Sequence, residues 1–207
     1  MRALPIAALL LILVAPEGMA ARLAKGSHVI WVGLNGNDAQ LVGPTAAGSS
    51  YEGGEIGFHV AYSQFLSDAW TVIVSGGADF GNDTFDPKGA GANEKVTSRS
   101  WNARLGFDRY AFINDDVALY AGPGVLYWRG HGKGEGFSDP TLDGNWPDVS
   151  QVGLNGRLGM YARLSAHYAL FGHIGQVLAF NSADDSAGKR TFWTNHHEGS
   201  VGLAFDR

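Results

Sequence analysis

Apolar and polar side chains alternate along most of this chain with a period of two residues, and no other feature constrains its fold as strongly. Over 54–63, the even positions from 56 onward carry Ile, Phe, Val and Tyr, while the odd positions carry Glu, Gly, His, Ala and Ser. This period is that of a half-buried β-strand. The same alternation recurs over 70–80, 101–108, 151–164 and 198–205. Less regular strand-like segments cover about 27–34, 117–129 and 168–180, and for the last of these the inward face stays open.

The connections between these eight predicted strands are alternately long and short. We expect long, polar, Gly-rich loops at about 35–50, 81–99, 130–149 and 181–193, and short turns at about 66–69, 113–116 and 165–167. Such an asymmetry is typical of outer-membrane barrels, in which short turns face the periplasm and long loops face outward. The predicted fold is therefore all-β, an eight-stranded antiparallel up-and-down transmembrane β-barrel.

The composition of the two strand faces supports closure into a barrel. One face is rich in Val, Leu, Ile and Phe, and the other combines Gly, Ala and Ser with isolated charges. In lipid every backbone polar group must be paired internally, which a closed barrel achieves. Charged residues make up only 17% of the 207 residues and the formal net charge is -5, which disfavours a nucleic-acid-binding surface. The absence of cysteine excludes disulfides and thiol chemistry.

The first twenty residues have the pattern of a secretory signal peptide. Arg2 supplies a positive charge, 6–15 form an apolar run, and Gly18 and Ala20 are small residues at the two positions that signal peptidase reads. Ten apolar residues are too few for a membrane-spanning helix, which needs about 20. We therefore expect a signal peptide at 1–20 and a barrel domain at 21–207.

The last predicted strand, 199–205, ends in the aromatic Phe205. With the strand and loop pattern, this segment resembles the small eight-stranded outer-membrane barrel family of the OmpA-barrel, OmpX and opacity-protein type. Asp206 and Arg207 depart from that pattern, since the family usually stops at the aromatic residue. The resemblance implies a bacterial outer-membrane location, contact with lipid and lipopolysaccharide, and assembly by the barrel assembly machinery. We expect a monomer without cofactor, metal or nucleic acid.

Eight ionisable residues share the inward face of the predicted strands. Charge inside a narrow barrel is costly unless it is paired, and eight strands leave a lumen that side chains can fill. We therefore predict a polar network that plugs the lumen, with a narrow polar channel lined by the same residues as the alternative. These residues are Glu55, His59, Asp79, Arg104, Asp108, Arg157, Arg163 and Glu198.

Two alternatives to a structural barrel remain open at this point. A lipid A-modifying enzyme needs a nucleophile beside a base, and His59 and Ser63 lie on one face of the same strand. His173 is a second possible base, but Gly175 stands where a His-x-Ser motif needs serine. The other alternative is a secreted soluble β-sandwich. We predict no catalytic residues.

The predicted loops suggest a surface-interaction role. Large apolar side chains in or beside them are the expected contact residues, because aromatic residues are enriched in binding hot spots: Trp128, Phe137, Trp146, Phe192 and Trp193. His196 and His197 are adjacent on a strand and point to opposite faces, so they cannot chelate one ion together. Loop carboxylates that could bind divalent cations bridging lipopolysaccharide are Asp83, Asp86, Asp139, Asp143, Asp184 and Asp185.

Overall fold

The computed structural model describes residue 23 and residues 25–42, 50–85, 94–137, 140–185 and 188–206. The predicted signal peptide, 1–20, lies outside the described residues. Within these ranges no helix is long and apolar enough to cross a membrane.

Eight long antiparallel strands and one two-residue strand form a single sheet. The strands are β1 (His28–Val42), β2 (Ser50–Phe65), β3 (Trp70–Phe85), β4 (Glu94–Phe112), β5 (Val117–Glu135), β6 (Gly144–Asn145), β7 (Val149–Arg163), β8 (Tyr168–Asp185) and β9 (Gly188–Asp206). Each long strand pairs with its neighbours in sequence, β5 pairs with β7, and β1 pairs with β9 to close the ring. The predicted eight-stranded up-and-down barrel is therefore confirmed. The short β6 pairs only with the end of β5.

Three four-residue turns, 66–69, 113–116 and 164–167, lie together at one end of the barrel, which we call the turn end. These turns were predicted to within one residue. At the opposite hairpin end the predicted loop bounds are wrong, because the strands continue through much of 35–50, 81–99, 130–149 and 181–193. Strands of 15 to 19 residues exceed the 9–11 residues that cross a membrane. Their outer parts keep the ladder hydrogen bonds but need no lipid-facing apolar side chains, so the alternation that marks a strand fades there.

The facing of the strands follows the predicted alternation. Val74, Leu105 and Leu154 lie exposed on the outer surface, while the intervening side chains point inward. In β8, where the sequence left the face open, Phe171 and Val177 are buried inside. The outer side of β8 carries Leu170, Ile174 and Leu178.

The seam between β1 and β9 is the least extensive pairing of the ring. It runs from Val29–Asp206 to Asn37–Glu198, which is nine pairs, while β8 and β9 share eighteen. A groove of about 390 Å³ lies on the wall at this seam, lined mainly by Leu34, Ile56 and Val201. Gly36 and Gly199 also line this groove, and they carry no side chain that would fill it.

Candidate functional site

The barrel interior holds all eight ionisable residues predicted to face it. They lie at inward positions of β2, β3, β4, β7 and β9. Glu55, Asp79 and Asp108 are almost completely buried. Arg163 lies at the end of β7, half-buried at the turn end. The interior is organised in three layers from the turn end to the hairpin end.

The layer at the turn end is aromatic and apolar. Trp31 contacts Phe171 edge to face with ring centroids 4.8 Å apart, and Tyr110 stacks on Tyr120 at 5.3 Å. Leu23, which precedes β1, is buried in the same cluster. The alternation had placed Ala61 and Tyr161 of this layer on the inward face, and Ile73 interrupts the alternation of β3 because it also packs here.

The middle layer is polar, and it contains the buried ion pair of Arg157 and Asp108. Arg157 Nε donates to Asp108 Oδ1 over 2.9 Å, and Arg157 Nη2 donates to Asp108 Oδ2. This two-bond geometry is the strongest form of a guanidinium–carboxylate contact. The Arg157 guanidinium also lies over the Tyr120 ring, 5.5 Å from its centroid.

A second ion pair joins Arg104 on β4 to Glu198 on β9, across the barrel. Arg104 Nη1 donates to Glu198 Oε1 over 2.9 Å, and Asn155 Nδ2 donates to the same oxygen over 2.7 Å. Arg104 is only 7% exposed. The two pairs therefore compensate four of the interior charges within the barrel.

A polar row rich in acceptors lies next to these pairs. Asp79 accepts hydrogen bonds from Asn35 Nδ2 and from Asn102 Nδ2, the latter over 2.9 Å. Ser100 Oγ lies 2.9 Å from Glu55 Oε2 and 3.3 Å from Asp79 Oδ2. Asn35, Ser100 and Asn102 were not among the predicted network residues, although their inward positions on the strands could have identified them.

The two histidines of the interior, His59 and His173, each contact a hydroxyl group on another strand. Ser63 accepts a hydrogen bond from Trp31 Nε1 over 2.8 Å, and His59 instead contacts Ser200 Oγ at 3.1 Å from Nδ1. Ser200 Oγ also donates to the Leu34 carbonyl over 2.9 Å. His173 Nδ1 lies 3.3 Å from the Tyr120 hydroxyl.

The layer at the hairpin end contains four of the five predicted contact aromatics. Trp128 on β5 and Trp146 after β6 are buried, and Phe137 and Phe192 pack half-buried against them. Trp146 Nε1 donates to the Leu142 carbonyl over 2.8 Å, and its backbone N–H donates to the Gly132 carbonyl. The connection between β5 and β7 therefore folds back over the mouth.

The fifth predicted contact aromatic, Trp193, has a different position. It is 68% exposed on the outer wall and packs edge to face on Phe180, with ring centroids 5.4 Å apart. His196 and His197 are half-buried and exposed, respectively. Of the predicted loop carboxylates, Asp143 accepts a hydrogen bond from the Phe137 N–H. The side chains of the other five, Asp83, Asp86, Asp139, Asp184 and Asp185, lie outside the described residues.

Charged side chains lie on the outer wall near β4 and β5, beyond an aromatic pair. Trp101 and Tyr127 pack at 5.1 Å on β4 and β5. Trp101 pairs in register with Arg129, which binds Asp148 over 2.6 Å. The hydrogen bond from Arg129 holds the pKa of Asp148 below its usual value, and that from His131 acts in the same direction. No group of three or more His, Asp or Glu in the described ranges is arranged to hold a metal ion.

A closed ring of eight long antiparallel strands, apolar outside and carrying paired charges inside, defines a transmembrane β-barrel. The chain has the fold of the small outer-membrane proteins. The outer membrane protein OprG from Pseudomonas aeruginosa matches it with a TM-score of 0.62 and 14% identity, over 91% of this chain and 99% of that one. At this identity the likeness concerns the fold.

Other solved structures match with lower scores. Ail, the attachment invasion locus protein of Yersinia pestis, is 13% identical over 88% of this chain and 99% of its own, with a TM-score of 0.47. Neisserial surface protein A is 10% identical over 88% of this chain and 96% of its own, with a TM-score of 0.48. No protein-family model and no curated protein matches the sequence.

Proposed function

We propose that this protein is an integral outer-membrane barrel with a structural and surface-interaction role, whose lumen is plugged rather than conducting. The observation that carries the proposal is the three-layered filling of the interior. Aromatic rings occupy the turn end, two buried ion pairs occupy the middle, and Trp128 and Trp146 occupy the mouth at the hairpin end. Eight strands leave little room beyond such side chains.

The outer surface supports a membrane location. Apolar side chains such as Val74 and Ile174 are exposed along the middle of the wall, where water would make them costly. Aromatic residues lie near both ends of this apolar band, including Trp70 and Tyr168 at the turn end and Phe80 and Trp101 at the hairpin end. Girdles of this kind mark the two membrane interfaces of outer-membrane barrels. The turn end would then face the periplasm and the hairpin end the exterior.

We further propose lipopolysaccharide as a partner of the outer wall. Arg99, Arg129 and Lys133 point outward on β4 and β5, just beyond the Trp101–Tyr127 pair. Cations at this level would meet the phosphates of the outer-leaflet lipid, which guanidinium groups bind well. Assembly by the barrel assembly machinery and a monomeric state remain part of the proposal, as do cleavage after residue 20 and a barrel domain at 21–207.

A surface-binding role would depend on the hairpins and on Trp193. Trp128 and Trp146 are buried in the mouth, and Phe137 and Phe192 are half-buried, so Trp193 is the most exposed aromatic of the predicted contact set. Replacing 132–148 and 182–191 by short turns tests this part of the proposal. We expect surface binding or envelope phenotypes to change, and unchanged phenotypes would contradict the surface role.

The enzymatic alternative has less support. His59 and Ser63 are on one face but have separate partners, and the Ser200 hydroxyl that contacts His59 donates to a carbonyl. The polar-channel alternative would need an open path between the ion pairs and past Trp128. We therefore do not favour either alternative.

Fractionation of expressing cells, combined with gel mobility and lipid A mass spectrometry, tests the proposal. We expect the protein in the outer-membrane fraction, a folded band that shifts on heating, and an unchanged lipid A mass. A soluble periplasmic protein without a heat-shifted band would contradict the barrel proposal and favour the β-sandwich. A lipid A mass change that is lost in Ser200→Ala would contradict the non-enzymatic role.

A further inference from the structure

We propose that the groove on the outer wall at the β1–β9 seam binds one acyl chain of lipid A, the membrane-embedded part of lipopolysaccharide. The inference rests on the proposed function, because it requires the hairpin end to face the exterior. It deepens the proposed contact with lipopolysaccharide by naming a site for an acyl chain. This site is separate from the cations of β4 and β5 that would meet the phosphates.

The groove lies where two neighbouring strands lack side chains at the same outward level. Gly36 on β1 pairs in register with Gly199 on β9. Beside them, Gly36 pairs with Ile56 on β2, and Gly199 pairs with Ile174 on β8. The two isoleucines are 71% and 69% exposed, so the glycine pair forms a depression between them. The groove volume of about 390 Å³ lies in the range of small-ligand sites.

The backbone and its neighbours leave room for side chains at both glycines. A methyl carbon at Gly36 would lie 3.8 Å from the Glu55 carbonyl oxygen, and one at Gly199 would lie 3.8 Å from the His173 carbonyl oxygen. Neither glycine has a positive φ, and the ladder runs through both positions without a bulge. Glycine inside a strand that neither bends nor meets another backbone marks a place where a ligand approaches.

The position and lining of the groove select a lipid chain. Leu34, Ile56 and Val201 line it, and all three are exposed in the apolar band of the wall. Gly36 follows the outward apolar residues of β1 that begin at Ile30, on their hairpin side. The groove therefore lies at the exterior end of the band on this strand. The hydrocarbon that surrounds the wall at that level belongs to lipid A, the lipid of the outer leaflet.

A polar rim lies beside the groove on β8 and β9, toward the hairpin end. Gln176 and His197 pair in register one outward position beyond Ile174 and Gly199. Gln176 Nε2 donates to Asn195 Oδ1 over 2.9 Å, and all three rim side chains are exposed. Amide and imidazole groups can donate to and accept from the amide, ester and hydroxyl groups at the root of the lipid A chains.

The rim also supplies selectivity that an apolar groove alone lacks. The surrounding hydrocarbon is as apolar as the groove, so retention of one lipid depends on close packing and on hydrogen bonds. A chain held by the rim would lie over the end of the β1–β9 ladder, whose last pair, Asn37–Glu198, directly follows the glycine pair. Because a ligand that binds only the folded state stabilises it, bound lipid A is expected to strengthen this seam.

Native mass spectrometry of the full chain, extracted from outer membranes in a mild detergent, counts the lipid A molecules that each barrel retains. We expect one lipid A on the wild-type chain. Gly36→Leu is expected to lose it, because the new side chain fills the groove. With the refolded protein, added lipid A is expected to raise the heat-shift midpoint of the wild type but not that of Gly36→Leu.

Gly76→Leu is the matched control, and it is expected to retain lipid A as the wild type does. Gly76 is exposed on the outer face of β3, in register with Val60 and away from the groove. A methyl carbon there would lie 3.5 Å from the Asn102 carbonyl oxygen, which is an ordinary contact. If Gly36→Leu does not fold, Gln176→Leu removes a rim hydrogen bond without entering the groove and is expected to lower the retained fraction of lipid A.

A wild-type barrel that retains no lipid A would overturn the proposal, and so would folded Gly36→Leu or Gln176→Leu that retains as much as the wild type. A phospholipid retained in its place, or a dimer that Gly36→Leu dissociates, would assign the groove to another occupant and would also overturn it. A heat-shifted band in the outer-membrane fraction would in each case leave the barrel proposal intact, so the two failures are distinguishable.

Discussion

Arg157 and Asp108 face each other inside the barrel and form a two-bond ion pair in which both side chains are almost fully buried. Asp108 comes from β4 and Arg157 from β7, so the pair connects two strands that do not pair with each other in the sheet. The contact therefore bridges the strand between them, β5, on the lumen side.

Removing one partner of this pair is expected to be strongly destabilising. Asp108→Asn leaves the Arg157 charge buried without a counter-ion, and such changes cost about 3–5 kcal/mol. The free energy of unfolding in denaturant, measured in detergent, gives the value. Replacing both residues together, Asp108→Leu with Arg157→Met, is expected to be near neutral because no charge then remains buried. A double variant as unstable as Asp108→Asn would contradict this interpretation.

A second prediction concerns the glycine opposite Glu198. A methyl carbon at Gly175 would lie 2.6 Å from Glu198 Oε1 and 3.0 Å from the Gly156 carbonyl oxygen. Because Arg104 and Asn155 hold that carboxylate, Gly175→Ala is expected to cost about 1–3 kcal/mol by overpacking. Gly156→Ala is the control, since a methyl group there meets no atom within 4 Å. Equal unfolding energies for the two variants would show that Glu198 is free to move.

The orientation of the barrel can be tested by chemical labelling, because the natural chain contains no cysteine. Lys189 is exposed at the hairpin end and Asp115 at the turn end. In intact cells, a membrane-impermeant maleimide is expected to label Lys189→Cys and to leave Asp115→Cys unlabelled. Both are expected to react after the outer membrane is permeabilised. The reverse pattern would contradict the proposed orientation.

The exposed ion pair of Arg129 and Asp148 at the hairpin end predicts how the stability of the protein depends on pH. The hydrogen bond from Arg129 lowers the pKa of Asp148 below its ordinary value of 3.8. A lowered carboxyl pKa means that the contribution of the pair to stability is complete above that ordinary value. It is lost as the pH falls through the lower value. Carboxyl NMR titration in micelles should therefore show Asp148 titrating below 3.8, and moving upward in Arg129→Gln. An unchanged midpoint in that variant would contradict the assignment.

Much of this architecture could be predicted from the alternation of side chains. A period of two predicts the number of strands, the short turns and the inward facing of residues such as Arg104 and Arg157. The period arises because lipid requires apolar side chains on the outer face, while the packed lumen accommodates polar ones. The inward face of β8 could not be predicted, because both faces of this strand carry apolar residues. Phe171 and Val177 pack inside, whereas Leu170, Ile174 and Leu178 lie outside. Trp128 and Trp146 were expected in or beside loops, but both lie in the mouth of the barrel. Trp128 is an inward residue of β5, and Trp146 is brought there because the connection between β5 and β7 folds back.

The contacts of the interior were beyond the sequence for a different reason. An inward position identifies a side chain that enters the lumen, but its partner depends on the register of strands far apart in the chain. Arg104 contacts Glu198, which lies 94 residues away. The roles of Asn35 and Asn155 depend in the same way on register, which the alternation alone does not determine.

Conductance across a planar lipid bilayer containing the refolded protein tests the central claim most directly. If the two ion pairs and the aromatic layers fill the lumen, insertion of the wild-type barrel will produce no steady ohmic current. Steady single-channel currents that scale linearly with voltage would contradict a plugged interior and establish the narrow polar channel instead.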